Sequence, residues 1–168
     1  SIWNGQSFFI FTRADRLPSN NILALLADGA TMWIGSDAGL LHFEENRFQV
    51  YTIATTDLAG NRITTLAKEA DGTILVGTDQ GLSRWADKVM RVIPETETYP
   101  ISALGLAKPN RIWLGTNGKG VLYFDGNLWT TLPDLIMPPA QQIGAIAVDS
   151  QNSVWIAGVV GGTIRYVP

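Results

Sequence analysis

The residues of this 168-residue chain that could do chemistry are polar side chains beside turns. Asp37, Asp79 and Asn117 form one set, and Arg13, Arg16, Asn20, Asn61, Arg62 and Tyr99 form a second. Carboxylates and amides arranged around a common centre could hydrogen-bond a sugar or hold a cation. Asp and Asn are also the residues that build tight turns, which is the simpler account of any one of them taken alone. His42 is the single histidine, and cysteine is absent. A histidine-based triad, a multi-histidine metal site, a thiolate site and a Cys nucleophile each lack the residues they require. Gly115-Thr116-Asn117-Gly118-Lys119-Gly120 superficially suggests a phosphate loop. It lacks the Gly-x-x-x-x-Gly-Lys-Ser/Thr spacing and leads into a strand, so a hairpin turn explains it better. These residues predict a non-catalytic binding module without cofactor or metal.

A repeat must position them. Met32-Trp33-Ile34-Gly35, Ile74-Leu75-Val76-Gly77, Ile112-Trp113-Leu114-Gly115 and Val154-Trp155-Ile156-Ala157 are copies of one segment. Trp33 to Leu75 is 42 residues, Leu75 to Trp113 is 38 and Trp113 to Trp155 is 42. A period near 40 residues built from strand signals indicates a propeller or a related array. Each copy opens with a short apolar segment, marked by Ile22/Leu25, Ile63/Leu66, Ile101/Leu104 and Ile143/Ile146. Six to eight residues ending in a turn favour a buried strand over a helix. A turn such as Asp28-Gly29 or Asp71-Gly72 leads to the Trp-Ile-Gly strand, and a second turn leads to a third strand ending in an aromatic. The outermost strand is 47–52, 89–94 or 127–132.

The fold expected is all-β: a β-propeller of four blades, each of four antiparallel strands. The blades span about 20–52, 61–94, 100–132 and 142–166. The fourth copy has no outermost strand after it. Trp3-Asn4-Gly5-Gln6-Ser7-Phe8 aligns with Phe124-Asp125-Gly126-Asn127-Leu128-Trp129, so residues 7–12 are expected to complete the last blade and remove an unpaired edge. Recurrence of the Trp and Gly assigns them to packing between blades, and Leu75 in place of Trp says that the position needs bulk.

Composition narrows the function. Hydrophobic residues make up 46% and charged residues 16%, which suits extensive buried sheet. A net charge of -3 with scattered Lys and Arg argues against a nucleic-acid surface. Apolar runs such as 22–27 are far short of the roughly 20 residues that span a bilayer, so no membrane contact is expected of this segment. The chain starts at Ser1 without a signal-like segment and reads as a piece of something longer or a mature product. Glu44-Glu45 and Glu95-Thr96-Glu97 are expected to be solvated loop edges.

Leu17-Pro18-Ser19-Asn20-Asn21-Ile22, Asp28-Gly29, Trp33-Ile34-Gly35-Ser36 and Gly39-Leu40 together resemble the two-component regulator propeller repeat. The second copy resembles it through Asn61-Arg62-Ile63, Asp71-Gly72-Thr73, Val76-Gly77-Thr78-Asp79 and Gly81-Leu82, and the third through Ile112-Trp113-Leu114-Gly115-Thr116. The fourth weakens to Trp155-Ile156-Ala157-Gly158. The resemblance implies an extracytoplasmic sensor propeller for a small-molecule or oligosaccharide ligand, upstream of a signalling output. Rings of that family usually have about seven blades, which this chain does not supply. A homodimer closing an eight-bladed ring, with the N-terminal strand of one copy completing the last blade of the other, is the structural alternative. The antibiotic-lyase propellers are the enzymatic alternative. Their chemistry is expected to need a His and a carboxylate near the channel, whereas His42 aligns with a third strand.

In a propeller the loops between second and third strands share a face with the loops that lead into each first strand. Asp37, Asp79 and Asn117 belong to the former and the second set to the latter, while Val159-Val160 breaks the polar pattern in the fourth copy. Leu135, Ile136 and Met137, within Asp134-Leu135-Ile136-Met137-Pro138-Pro139, form an apolar loop that either caps the channel or presents a contact surface.

Overall fold

A computed structural model describes residues 2–3, 5–108, 110–132 and 142–167. The first sheet contains β3 (Ile22–Asp28), β4 (Thr31–Ser36), β5 (Leu40–Glu44) and β6 (Arg47–Tyr51). The second contains β7 (Ile63–Lys68), β8 (Ile74–Thr78), β9 (Gly81–Ala86) and β10 (Val89–Val92). The third contains β11 (Ile101–Ala107), β12 (Arg111–Thr116), β13 (Val121–Phe124) and β14 (Trp129–Thr131). The fourth contains β15 (Ile143–Val148), β16 (Val154–Gly158) and β17 (Thr163–Tyr166). Each is an antiparallel meander in chain order, and β1 (Ile2–Trp3) pairs with β2 (Phe8–Phe9) in a separate hairpin.

Local chemistry sets these strands. Glu45-Asn46 and Asp87-Lys88 have positive φ at both positions, the backbone that a two-residue turn between twisted strands demands. At Asp125 the carboxylate accepts from the N–H groups of Asn127 and Leu128, and at Asp149 from those of Gln151 and Ser153, so each aspartate builds its own turn. All four innermost strands carry a register shift at the second residue, between Ile22/Ala24, Ile63/Thr65, Ile101/Ala103 and Ile143/Ala145. The shift re-aims that second side chain. Thr64 Oγ1 donates to Ile101 O at 2.6 Å and Ser102 Oγ donates to Ile143 O at 2.6 Å, tying the second sheet to the third and the third to the fourth.

Three apolar cores lie between the sheets. Trp33, Leu40 and Tyr51 meet Ile63, Ile74, Val76 and Met90 between the first and second. Leu75 and Leu82 meet Ile101, Ile112 and Leu114 between the second and third, and Trp113 and Val121 meet Ile143, Val154 and Ile156 between the third and fourth. A Cβ at Gly35, Gly77 or Gly115 would lie 2.6, 2.9 or 2.4 Å from Ile63, Ile101 or Ile143, so these glycines permit the close approach of successive sheets. The arrangement is propeller-like. Inner strands meet in the order β3, β7, β11, β15, and among the described residues no comparable contact returns from β15 to β3.

The expected completion of the fourth sheet by residues 7–12 is corrected here. Phe8–Phe9 pairs with Ile2–Trp3, and the fourth sheet has three strands among the described residues. Gly5, at φ 94, turns the chain within a few residues, and closing so short a loop costs less entropy than pairing strands at opposite ends of the sequence.

Candidate ligand-binding rim

The expected shared face is formed by backbone hydrogen bonds repeated in every copy. Asp37 N donates to Asn21 O at 3.3 Å, Asp79 N to Arg62 O at 3.3 Å, Asn117 N to Pro100 O at 2.8 Å and Val159 N to Gln142 O at 2.8 Å. Each loop between second and third strands is thereby held beside the entry to its own first strand. A buried hydroxyl fixes three of them. Ser36, Thr78 and Thr116 donate to the carbonyls of Gly39, Gly81 and Gly120 at 2.8, 2.8 and 2.7 Å and accept from the N–H groups of Ala38, Gln80 and Lys119. Gly158 stands at the fourth equivalent position without a hydroxyl, and Val159 and Val160 beside it are exposed. Sequence reasoning assigned no role to these hydroxyls, although Ser or Thr after each rim glycine was their signal.

The predicted residues divide. Asp37 accepts from Asn21 Nδ2 at 3.0 Å. Hydrogen bonds from Ser19 and then Asn21 hold its carboxyl below the ordinary range, with the Arg62 guanidinium of the next sheet's entry loop adding attraction. Asp79 N donates to Arg62 O, and the Asp79 carboxylate lies beside Gly60, where a Cβ would stand 2.8 Å from its Oδ1. Tyr99 is half-buried, with Lys119 Nζ 4.9 Å from its ring centroid and donating to Thr98 O at 3.0 Å. Lys119, read from sequence as part of a plain turn, therefore joins Asn117 on the rim.

Other predicted residues work on the loops themselves. Asn20 Oδ1 accepts from Arg13 N at 2.9 Å and Asn61 Oδ1 from Ile53 N at 2.9 Å, the same clamp in two successive loops. Arg13 belongs to a 3₁₀ turn, Arg13–Asp15, capped by Thr12, and Arg16 follows it with φ 76. Arg16 shares a depression with Phe11, Asn46, Arg47 and Phe48 beside the β5–β6 turn, away from Asp37. Leu135, Ile136 and Met137 lie outside the described residues. His42 stacks on Trp33, with ring centroids 4.2 Å apart and planes 19° apart. Among the described residues no group of three or more His, Cys, Asp and Glu could hold a metal ion.

A cavity of about 1450 Å³ is an open groove between the second and third sheets, and Tyr99 is the one predicted residue lining it. Arg84, Arg111, Phe124 and Trp129 face it, as does Glu69, whose carboxyl is pushed up mainly by burial, then by Asp71, with Arg84 opposing. Only Tyr99 joins this groove to the polar loops that the repeat holds on one face, so the rim carries the functional reading.

Fold and rim define the class: an all-β, propeller-like repeat protein with a polar loop face. No family model matches the chain, and no curated protein matches it. Solved structures do. The extracellular domain of the hybrid two-component system BT3049 from B. thetaiotaomicron superposes with a TM-score of 0.79 at 17% identity, over 96% of this chain and 24% of that one. The computationally designed Ika4 protein gives 0.66 at 16%, over 88% and 91%. Virginiamycin B lyase from Staphylococcus aureus gives 0.63 at 12%, over 88% and 56%. This chain spans about a quarter of the BT3049 domain. These likenesses show a shared fold.

Proposed function

We propose that this chain is a run of four propeller blades from a non-catalytic, extracytoplasmic sensor, and that its loop rim receives a small molecule or oligosaccharide. The observation that carries the reading is the repeated backbone hydrogen bond that sets Asp37, Asp79 and Asn117 each beside the entry loop of its own first strand, with Arg62 next to Asp79 and with Lys119 over the Tyr99 ring. An ionised carboxylate, a guanidinium, an ammonium and an amide beside a half-exposed aromatic ring are the groups that hydrogen-bond hydroxyls and stack on a sugar face. Similarity to the BT3049 extracellular domain supports the sensor setting. The likeness to a lyase weighs less. A histidine-to-alanine variant of that enzyme is described as catalytically inactive, and this chain's one histidine is stacked against Trp33 on a third strand.

Titration calorimetry against oligosaccharides and small metabolites tests the proposal. Binding is expected to weaken about tenfold, the 1.4 kcal/mol of one hydrogen bond to a charged group, in Asp37→Ala and Asp79→Ala. Asp37→Ala and Asp79→Ala binding as well as the parent, or no ligand for any of the three, overturns the rim.

A further inference from the structure

We infer that the groove between the second and third sheets is a second binding site, one that takes a planar aromatic ring carrying a carboxylate. The groove lies where the repeat gives up its rings. In the first sheet Trp33 stacks 4.2 Å from His42 and 6.0 Å from Tyr51. The same cross-strand register makes Leu75, Arg84 and Ile93 their equivalents in the second sheet, so an indole and a phenol are each replaced by an aliphatic side chain. The third sheet has rings again, with Trp113 and Tyr123 4.7 Å apart. Each following sheet supplies an aromatic from its third strand to meet them. Trp85 packs on Trp33 at 5.6 Å and on Tyr51 at 5.0 Å, and Tyr166 packs on Trp113 at 5.1 Å. Phe124 is the equivalent residue of the third sheet, but Trp85 is the sole aromatic on the second sheet's strands and is turned to the first. Phe124 pairs instead with Trp129 of its own sheet, centroids 5.1 Å apart.

Leu75, Ile93, Phe124 and Trp129 line the resulting space, about 1450 Å³, and a ligand ring there makes the contact that an indole makes at the neighbouring junctions. Arg84 sets the charge of that ligand. Its equivalent in the fourth sheet, Arg165, lies over the Trp155 ring at 5.3 Å, has Asp149 Oδ2 at 3.6 Å and donates to Ser153 Oγ at 3.0 Å. Arg84 has Leu75 where Arg165 has a ring, forms no salt bridge among the described residues, and donates to Thr73 Oγ1 at a long 3.5 Å. Glu69, Asp71 and Glu95 also line the groove. Asp71 accepts from Thr73 N at 2.9 Å within its own turn, and burial moves Glu69 toward its neutral form against the pull of Arg84. The fork of guanidinium donors is thus available to an incoming carboxylate, while the guanidinium plane covers a ring as Arg165 covers Trp155.

Titration of the full chain with naphthoate, followed by nuclear magnetic resonance, tests the groove independently of the rim. The indole N–H signal of Trp129 is expected to shift, and that of Trp155, exposed on the fourth sheet, to stay in place. Naphthoate is expected to bind about tenfold more tightly than uncharged naphthamide, the difference one charge-assisted hydrogen bond makes, and Arg84→Gln removes that preference. Leu75→Trp returns the repeat's indole to the groove and Ile93→Tyr returns its phenol. Each is expected to retain the sheet circular-dichroism signal and to lose naphthoate, which a purely structural role for Leu75 and Ile93 would not produce. Asp37→Ala and Asp79→Ala, which test the rim, leave naphthoate binding unchanged. No shift at Trp129 in millimolar naphthoate, equal binding of acid and amide, or undiminished binding in folded Leu75→Trp or Ile93→Tyr overturns the inference. A shift at Trp129 with glucuronate but not with naphthoate overturns it too, in favour of a sugar acid.

Discussion

The indole nitrogens separate packing from chemistry most directly. Trp33 and Trp113 bury their N–H groups without a partner among the described residues, while Trp155 Nε1 donates to Asp149 Oδ2 at 3.0 Å. A position that tolerates an unpaired donor in two copies, and Leu75 in a third, is selected for volume. The glycines beside these positions are selected for the lack of it. Gly115→Ala would set a Cβ 2.4 Å from Ile143 Cγ2 and 3.2 Å from Ala103 Cβ. Urea denaturation of Gly115→Ala is expected to show a loss of about 1–3 kcal/mol, the cost of overpacking a close contact. Stability within about 0.5 kcal/mol of the parent would mean that the third and fourth sheets can separate freely, contrary to that contact.

Among elements, the innermost strands join one sheet to the next. The register shift at Thr64 and Ser102 aims each hydroxyl at the following sheet, and Thr64 Oγ1 also reaches Gly77 O at 3.0 Å. Leu23 and Gly144 occupy the same positions in β3 and β15 and have no hydroxyl to donate. Thr64→Val and Ser102→Ala are each expected to cost about 1 kcal/mol in chemical denaturation, since an acceptor carbonyl between sheets loses its donor. Leu23→Ala, which removes no such bond, serves as the comparison, and an equal loss in amide protection at Ile101 and Ile143 would contradict the clamp.

At the scale of the molecule, three cores among the described residues serve four blade-like sheets, so stability is unevenly distributed. The second and third sheets have a core on both faces, while the fourth lacks an outer strand among the described residues and exposes Trp155, Val159 and Val160. A sheet edge without a partner opens more readily than one inside the array. Hydrogen exchange is expected to be slowest in β8 and β12 and fastest in β17 and β2. Uniform protection across all four sheets would show that the ends are as well covered as the middle.

The repeat was legible in sequence because strands and turns are local. Ile63 with Leu66, the Asp71-Gly72 turn and the Leu75-Val76-Gly77 strand state their pairing within about a dozen residues, and the register of β7 with β8 follows. The shared loop face was legible for the same reason, since Asp37 and Asn21 belong to one copy. Which rim side chains are free for a ligand was not, because Asn61 shows a polar amide in sequence whether it faces solvent or clamps Ile53 N. The seat of residues 7–12 was equally hidden. An outermost strand presents the same backbone donors and acceptors to any unpaired edge, so its pattern names its kind and leaves its partner to geometry. The sequence by itself determined the number of sheets, their order and the bulky residues between them. Only the tertiary structure decided that Phe11 packs on Phe43 and Phe48 of the first sheet and that Trp155 and Leu25 stay exposed, because these contacts depend on which surfaces the folded sheets bring together.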